Sequence, residues 1–332
     1  MNFDLTEDQA MLKDSAERLF AEAADGADLW ARMAEMGLLA APFAEDDGGL
    51  GLGPVETMIV AEAMGRAQAV TPYAGAIAAA GTALRLADRA PEGLIAALAS
   101  GGRRVAWACD GEVAVTATGD GWRLSGRKIS VDHAAGADAF VVTAMEDAGP
   151  VVLVVAADAA GLTRRDYRLF DGAAASALTF EDVVAQAVLA QGEAAADLIA
   201  RAGAHHAAAR AAEAVGLMQA VLDATLEHLK TRRQFGVTLS SFQALRHKAA
   251  DMLVALEQAR SMAMFAALSV DDPDADVRHK ALSQVRSVVG KAARLVGQTG
   301  VQLHGGIGVT EEHPVGRAFR RLTLIDLEME RG

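Results

Sequence analysis

The segment Thr231-Arg232-Arg233-Gln234-Phe235-Gly236 sets two guanidinium groups beside an aromatic ring. Adjacent arginines can grip a pyrophosphate through charge-assisted hydrogen bonds, and the ring can pack an adenine. By themselves the same residues read more readily as the basic end of a helix from about Ala207 to Lys230, stopped by a glycine. A second segment, Gln302-Leu303-His304-Gly305-Gly306-Ile307-Gly308, pairs glycines that let a ligand approach the backbone and bare N–H groups to an anion. Alone, it reads first as a helix-ending turn. It lacks the G-x-G-x-x-G spacing after a strand, so a Rossmann NAD site is not supported. His205 and His206 are adjacent, hence about 100° apart on a helix, and do not converge easily on one metal. His247 and Asp251 sit at i and i+4 but fit a solvated helix face better. Near the C-terminus, Asp326-Leu327-Glu328-Met329-Glu330 offers carboxylates that can include a general base or form a plain acidic tail. No P-loop, H-E-x-x-H or nucleophile elbow occurs.

These residues need elements to hold them, and the chain changes texture twice. Residues 1–103 read as a helical domain. Thr6-x-x-Gln9 forms a capping box ahead of Leu12, Ala16 and Leu19. The Gly48–Gly53 loop reads as a structural turn before a helix over Glu56–Met64. Residues 104–188 read as a β domain, antiparallel because its short β-branched runs are separated by turns. One is the hairpin signal Gly119-Asp120-Gly121 between Val113–Thr118 and Trp122. Residues 189–332 read as a helical bundle. Leu245, Ala249, Met252, Leu256, Ala259 and Ala263 step by four and three, and so do Leu282, Val285, Val289, Ala292 and Val296. Asp271-Asp272-Pro273-Asp274 is the loop between those two stripes.

Composition narrows the function. With 332 residues, 52% hydrophobic and 23% charged, the chain can bury a large core. Its net charge of −13 opposes nucleic-acid binding, so any anionic ligand must be held by a local cluster. Cys109 is the one cysteine, which excludes an intrachain disulfide and points to a reducing compartment. The start Met1-Asn2-Phe3-Asp4-Leu5 lacks a signal-peptide pattern, and no long uncharged apolar run is present. A cytoplasmic protein without membrane association is expected.

Together, the motifs resemble the acyl-CoA dehydrogenase family over nearly the whole chain. The resemblance rests on Phe3-Asp4-Leu5-Thr6-Glu7-Asp8-Gln9, Gly48-Gly49-Leu50-Gly51, Leu124-Ser125-Gly126-Arg127-Lys128 and Leu178-Thr179-Phe180-Glu181-Asp182-Val183. Its most specific parts are Arg232–Gly236 with Phe242-Gln243, and Gln302–Gly308. The fold it implies is α+β: an N-terminal helical domain, a middle antiparallel β domain and a C-terminal four-helix bundle. The implied activity is FAD-linked oxidation of the Cα–Cβ bond of an acyl-CoA thioester, with a Glu carboxylate as base and an electron-transfer flavoprotein as electron acceptor. The matching residues for the ADP half of FAD are Arg232, Phe235, Gln243, Gln302, Gly305 and Gly306. Their reach across a subunit interface implies an oligomer.

The departures are as informative. Where the family carries a Thr-Glu-Pro-x-x-Gly-Ser-Asp loop beside the flavin ring, this chain has Ala106-Trp107-Ala108-Cys109-Asp110-Gly111. Where the family has Trp-Ile-Thr, this chain has Ser130-Val131-Asp132. Counting from Gln302, the usual base falls on Met329, so Glu328 is the first candidate and Glu330 an alternative. The family's other base position falls on His206. This pattern, with Ala255–Ala263, resembles small subunits of heteromeric acyl-CoA dehydrogenases of the pimeloyl-CoA and steroid side-chain types. It implies a dehydrogenase subunit whose partner, a second acyl-CoA dehydrogenase subunit, supplies part of the FAD site and the base. The alternatives are a self-sufficient homodimer using Glu328 or Glu330, and a non-catalytic structural subunit. The acyl group stays open among fatty, dicarboxylic, branched and ring-bearing chains.

Overall fold

A computed structural model describes residues 4–22, 28–119 and 121–331. Met1 to Phe3, Asp120 of the hairpin turn and Gly332 lie outside the described residues. The α-helices among these residues are α1 (Glu7–Glu22), α2 (Leu29–Glu35), α3 (Pro54–Arg66), α4 (Thr82–Leu86), α5 (Leu94–Ala99), α6 (Gly192–Thr231), α7 (Gln243–Ser269), α8 (Ala275–His304) and α9 (Pro314–Arg331). Between α5 and α6 run β1 (Val105–Ala108), β2 (Val113–Thr118), β3 (Gly121–Asp132), β4 (Ala139–Glu146), β5 (Gly149–Ala156), β6 (Leu162–Arg168), β7 (Ala174–Val184) and β8 (Ala187–Gln191). A small hairpin, β9 (Arg233–Gln234) with β10 (Val237–Thr238), joins α6 to α7. By packing, one compact unit comprises Met1–Ala24, Met58–Ala69 and Ala207–Gly332, and the other Asp25–Thr57 and Val70–His206. Among the described residues, no helix is long and apolar enough to cross a membrane.

In the second unit the strands pair in the order β6-β7-β3-β2-β4-β5-β8, with β1 beside β4. Leu124, Val142, Leu153, Leu178 and Phe180 fill its core at 2% exposure or less, which is where β-branched and apolar alternation sends them. Most neighbours are antiparallel, but β1 and β2 both run parallel to β4. The sheet is therefore mixed, a correction to the antiparallel expectation. Turn chemistry reports only hairpin neighbours such as β2–β3 and β4–β5, whereas β1 and β2 meet β4 through a longer-range pairing. They follow one another along the same edge of β4, at Ala139–Val142 and then at Met145.

Cys109 to Glu112 break that edge, and Lys128 closes the break. Its Nζ donates to the Cys109 carbonyl and the Gly111 carbonyl, both at 2.8 Å, and to Thr143 Oγ1 at 3.0 Å. A carbonyl left unpaired inside a sheet costs roughly a lost hydrogen bond or more, so an ammonium with three donors suits the gap. Burial pushes Lys128 down to about 8, with the Cys109 and Asp110 neighbours opposing the shift.

In the first unit, Thr6 N–H donates to Gln9 Oε1 at 3.0 Å and Gln9 N–H to Thr6 Oγ1 at 3.2 Å, the reciprocal cap expected of α1. The stripes on α7 and α8 are buried as their spacing predicts, apart from a half-buried Leu245. Asp274 caps α8 by accepting from Asp276 N–H at 2.9 Å. Helix α6 begins at Gly192, well before the expected Ala207. Its first turns are so rich in alanine that no polar-apolar contrast marks where they start.

Candidate functional site

The C-terminus of α6, the N-terminus of α7 and the C-terminus of α8 gather at one end of the first unit. His228 on α6 stacks on His304 of α8 with ring centroids 4.5 Å apart, and Lys248 of α7 donates to Gln302 Oε1 of α8 at 3.0 Å. All six residues matched to an ADP-binding role lie on these three termini or the hairpin beside them. Arg232, Gln243, Gln302, Gly305 and Gly306 are exposed. Phe235 stands at the hairpin tip at 90% exposure, in a T-shaped contact with Phe242 at 6.2 Å. With φ of 54° at Phe235 and 82° at Gly236, the tip adopts the left-handed pair that a two-residue hairpin turn demands. Hence the basic helix end and the ring presentation are the same object: α6 stops at Thr231 and the turn pushes Phe235 outward.

Gly305 caps α8 with φ 69° and ψ −147°, a conformation closed to side-chain-bearing residues. Nothing lies within 4 Å of where a Cβ would sit on Gly305 or Gly306. The exposed backbone there is a cradle that a side chain would fill. Guanidinium, ring, amide side chains and bare backbone at one end fit the ADP half of a flavin dinucleotide.

A third histidine, His313, joins the stack at 4.8 Å from His304. Sequence reasoning missed it, because His228 lies far from the other two in the chain and no motif spacing ties His304 to His313. Burial lowers the proton affinity of His228, reinforced by His304, Arg232 and His313. Burial also lowers that of His313, with His304 and Arg317 adding to it.

The candidate bases fall elsewhere. Helix α9 runs through residues 328 to 330, so each step turns the side chain by about 100°. Met329 is buried, while Glu330 is exposed and pairs with Arg294 of α8 at 2.8 Å. Glu328 turns toward α6, its Oε2 lying 3.1 Å from Arg210 Nε. His206 is half buried one turn before Arg210, and its neighbour His205 is buried with Nε2 3.3 Å from Arg85 Nη2. Arg210 and Glu213 were not singled out from the sequence. Their signal was an Arg and a Glu at i and i+3 in an otherwise alanine-rich stretch.

In the β domain, Ser130 holds φ 53° at an irregularity in the β3–β7 pairing, its N–H donating to Tyr167 Oη at 2.9 Å. A polar bulge thus stands where the family pattern carries Trp-Ile-Thr.

A chain of helices interrupted by a β domain, with exposed residues at one bundle end that fit a dinucleotide, has the architecture of a flavin-dependent oxidoreductase. The chain belongs to the acyl-CoA dehydrogenase family. Residues 6–87 match its N-terminal domain and residues 196–326 its C-terminal domain. Acyl-CoA dehydrogenase FadE27 of Mycobacterium tuberculosis is 30% identical over 88% of this chain and 81% of its own. A chain of the ChsE4-ChsE5 complex from Mycobacterium tuberculosis superposes with a TM-score of 0.88 at 27% identity, covering 99% of this chain and 95% of that one. The Tcur3481-Tcur3483 steroid acyl-CoA dehydrogenase G363A variant gives 0.88 at 29% identity, covering 97% and 94%.

Proposed function

We propose that this chain is one subunit of a heteromeric FAD-linked acyl-CoA dehydrogenase, α,β-dehydrogenating an acyl-CoA thioester. The exposed Phe235 at its strained tip carries this reading, because a ring held 90% in water on its own chain is poised for something beyond it. When bound, FAD supplies the hydride acceptor for the bond being oxidised. Arg232 neutralises the pyrophosphate, Phe235 packs the adenine, Gln243 and Gln302 orient the nucleotide, and Gly305 and Gly306 admit it against the backbone. The partner subunit supplies the ring-side contacts that Ser130 and the Cys109–Glu112 break do not resemble, and the base. An electron-transfer flavoprotein takes the electrons onward. The likeness to the ChsE4-ChsE5 complex supports a heteromer, and that to the Tcur3481-Tcur3483 steroid enzyme supports a ring-bearing acyl group.

A self-sufficient homodimer with Glu328 as base is the second reading, favoured by the approach of Glu328 to α6 one turn from His206. The absorbance spectrum of the chain purified alone, with released FAD quantified, separates the two. The heteromer predicts far less than one FAD per chain alone and near-stoichiometric flavin on co-expression with a partner subunit. One FAD per isolated chain, bleached by an acyl-CoA, would overturn it.

A further inference from the structure

Lys248 belongs to none of the motifs that single out the bundle end, yet it is bonded to one of their residues. From α7, half buried, its Nζ donates to Gln302 Oε1 of α8 at 3.0 Å. Among the described residues this is the one hydrogen bond that either side chain makes, and Lys248 has no ion pair. An ammonium carries donors only, so it engages the amide oxygen and thereby fixes which way the amide lies. The Gln302 NH2 group is left turned away from Lys248. The backbone beneath it is held separately: His304 Nδ1 donates to the Gly300 carbonyl at 2.8 Å, and the same ring stacks on His228 of α6.

We infer that Lys248 is a positioning residue, which sets the Gln302 amide as a hydrogen-bond donor toward the diphosphate of a bound dinucleotide. This rests on the reading that this bundle end takes the ADP half of FAD. The sign of the helix dipole makes the orientation matter. Gln302 lies in the last turn of α8, and the carbonyl end of a helix repels an anion. A diphosphate seated there must therefore find donors. Held by Lys248, the amide offers its N–H groups and keeps its oxygen engaged. Released, it can turn over and set that oxygen against the phosphate. The terminal torsion of an exposed glutamine has a broad, roughly two-fold profile, so the two orientations are close in energy and one ammonium suffices to choose between them. Lys248 also adds positive charge near the ligand, an effect that does not depend on Gln302.

The test uses the co-expressed, flavin-loaded assembly carrying Lys248→Met, Lys248→Arg, Gln302→Met or the double change Lys248→Met with Gln302→Met. Two readouts are taken: FAD fluorescence after dilution, and thermal melting. Lys248→Met is expected to speed FAD release by roughly five-fold, with a melting temperature within about 1 °C of wild type. Lys248→Arg, which restores a donor, is expected to recover most of that loss. In the Gln302→Met background, Lys248→Met is expected to speed release by less than about 1.5-fold more, because no amide is left to orient. An equal acceleration in both backgrounds would overturn the inference in favour of charge alone. Unchanged release in Lys248→Met, no recovery in Lys248→Arg, or a melting temperature lowered by several degrees would overturn it as well, the last by marking a merely structural contact. A wild-type assembly that carries no flavin would instead overturn the dinucleotide reading, and the inference with it.

Discussion

Gly216 of α6 lies so close to Glu62 of α3 that a Cβ on it would stand 2.0 Å from the Glu62 carbonyl oxygen. Gly65 returns the contact, its own would-be Cβ 2.1 Å from the Glu213 carbonyl oxygen. The two helices therefore cross backbone to backbone. This crossing sets Glu62 against Arg260 of α7, which also donates to Gln219 Oε1 of α6 at 2.8 Å. Gly216→Ala must push backbone against backbone, and is expected to destabilise the protein by about 3 kcal/mol or more. Urea denaturation measures it; a loss below about 1 kcal/mol would mean that the helices separate cheaply.

Lys128→Met is expected to cost about 3 kcal/mol, since it strands the Cys109 and Gly111 carbonyls inside the sheet. The difference from wild type should widen in alkali. The folded lysine releases its proton near 8 and the unfolded one near 10.5, so the penalty of burying its charge is present below pH 8 and relieved as pH rises to 10.5. Chemical denaturation of both proteins at pH 7 and pH 10 checks sign and size together.

Phe235→Ala separates ligand binding from folding. A ring this exposed contributes little to its own chain, so stability should change by less than about 0.5 kcal/mol. Flavin retention by the assembly should fall by about ten-fold, as the loss of roughly 1.4 kcal/mol of packing implies. FAD fluorescence after dilution reads the release; unchanged retention would remove Phe235 from the cofactor site.

The histidine stack makes this end of the bundle acid-sensitive. His228 and His313 hold protons less tightly when folded than the ordinary 6.5, so the unfolded chain binds more protons as pH falls below that value. Stability is therefore fully present above pH 6.5 and declines below it. His313→Asn should flatten the fall of melting temperature between pH 7 and pH 5. An equal slope in the variant would place the acid sensitivity elsewhere.

The cap of Thr6 and Gln9, the acidic loop between α7 and α8 and the two buried stripes were legible because each depends on residues within a few turns of one another. The candidate residues of this bundle end were legible as motifs, since Arg232 to Gly236 and Gln302 to Gly306 are short local segments. Neither segment alone outweighs the reading of an ordinary helix end. They meet because α8 returns antiparallel along α7. Lys128 looked like one member of a family motif, while its work as a plug depends on where β1 and β2 meet β4. The early start of α6 was hidden by alanine, which fits a helix without announcing one.

Sequence by itself determined the family and the order of helices and strands, because capping, periodicity and contiguous motifs are short-range properties of the chain. Only the tertiary structure decided which way β1 and β2 run, which helices cross at Gly216, and that Glu328 faces Arg210 while Glu330 faces Arg294. These depend on backbones and charges brought together across tens to hundreds of residues. In α9 a single residue of offset turns a side chain by about 100°, so the partner of a carboxylate is set by packing and not by its place in a motif.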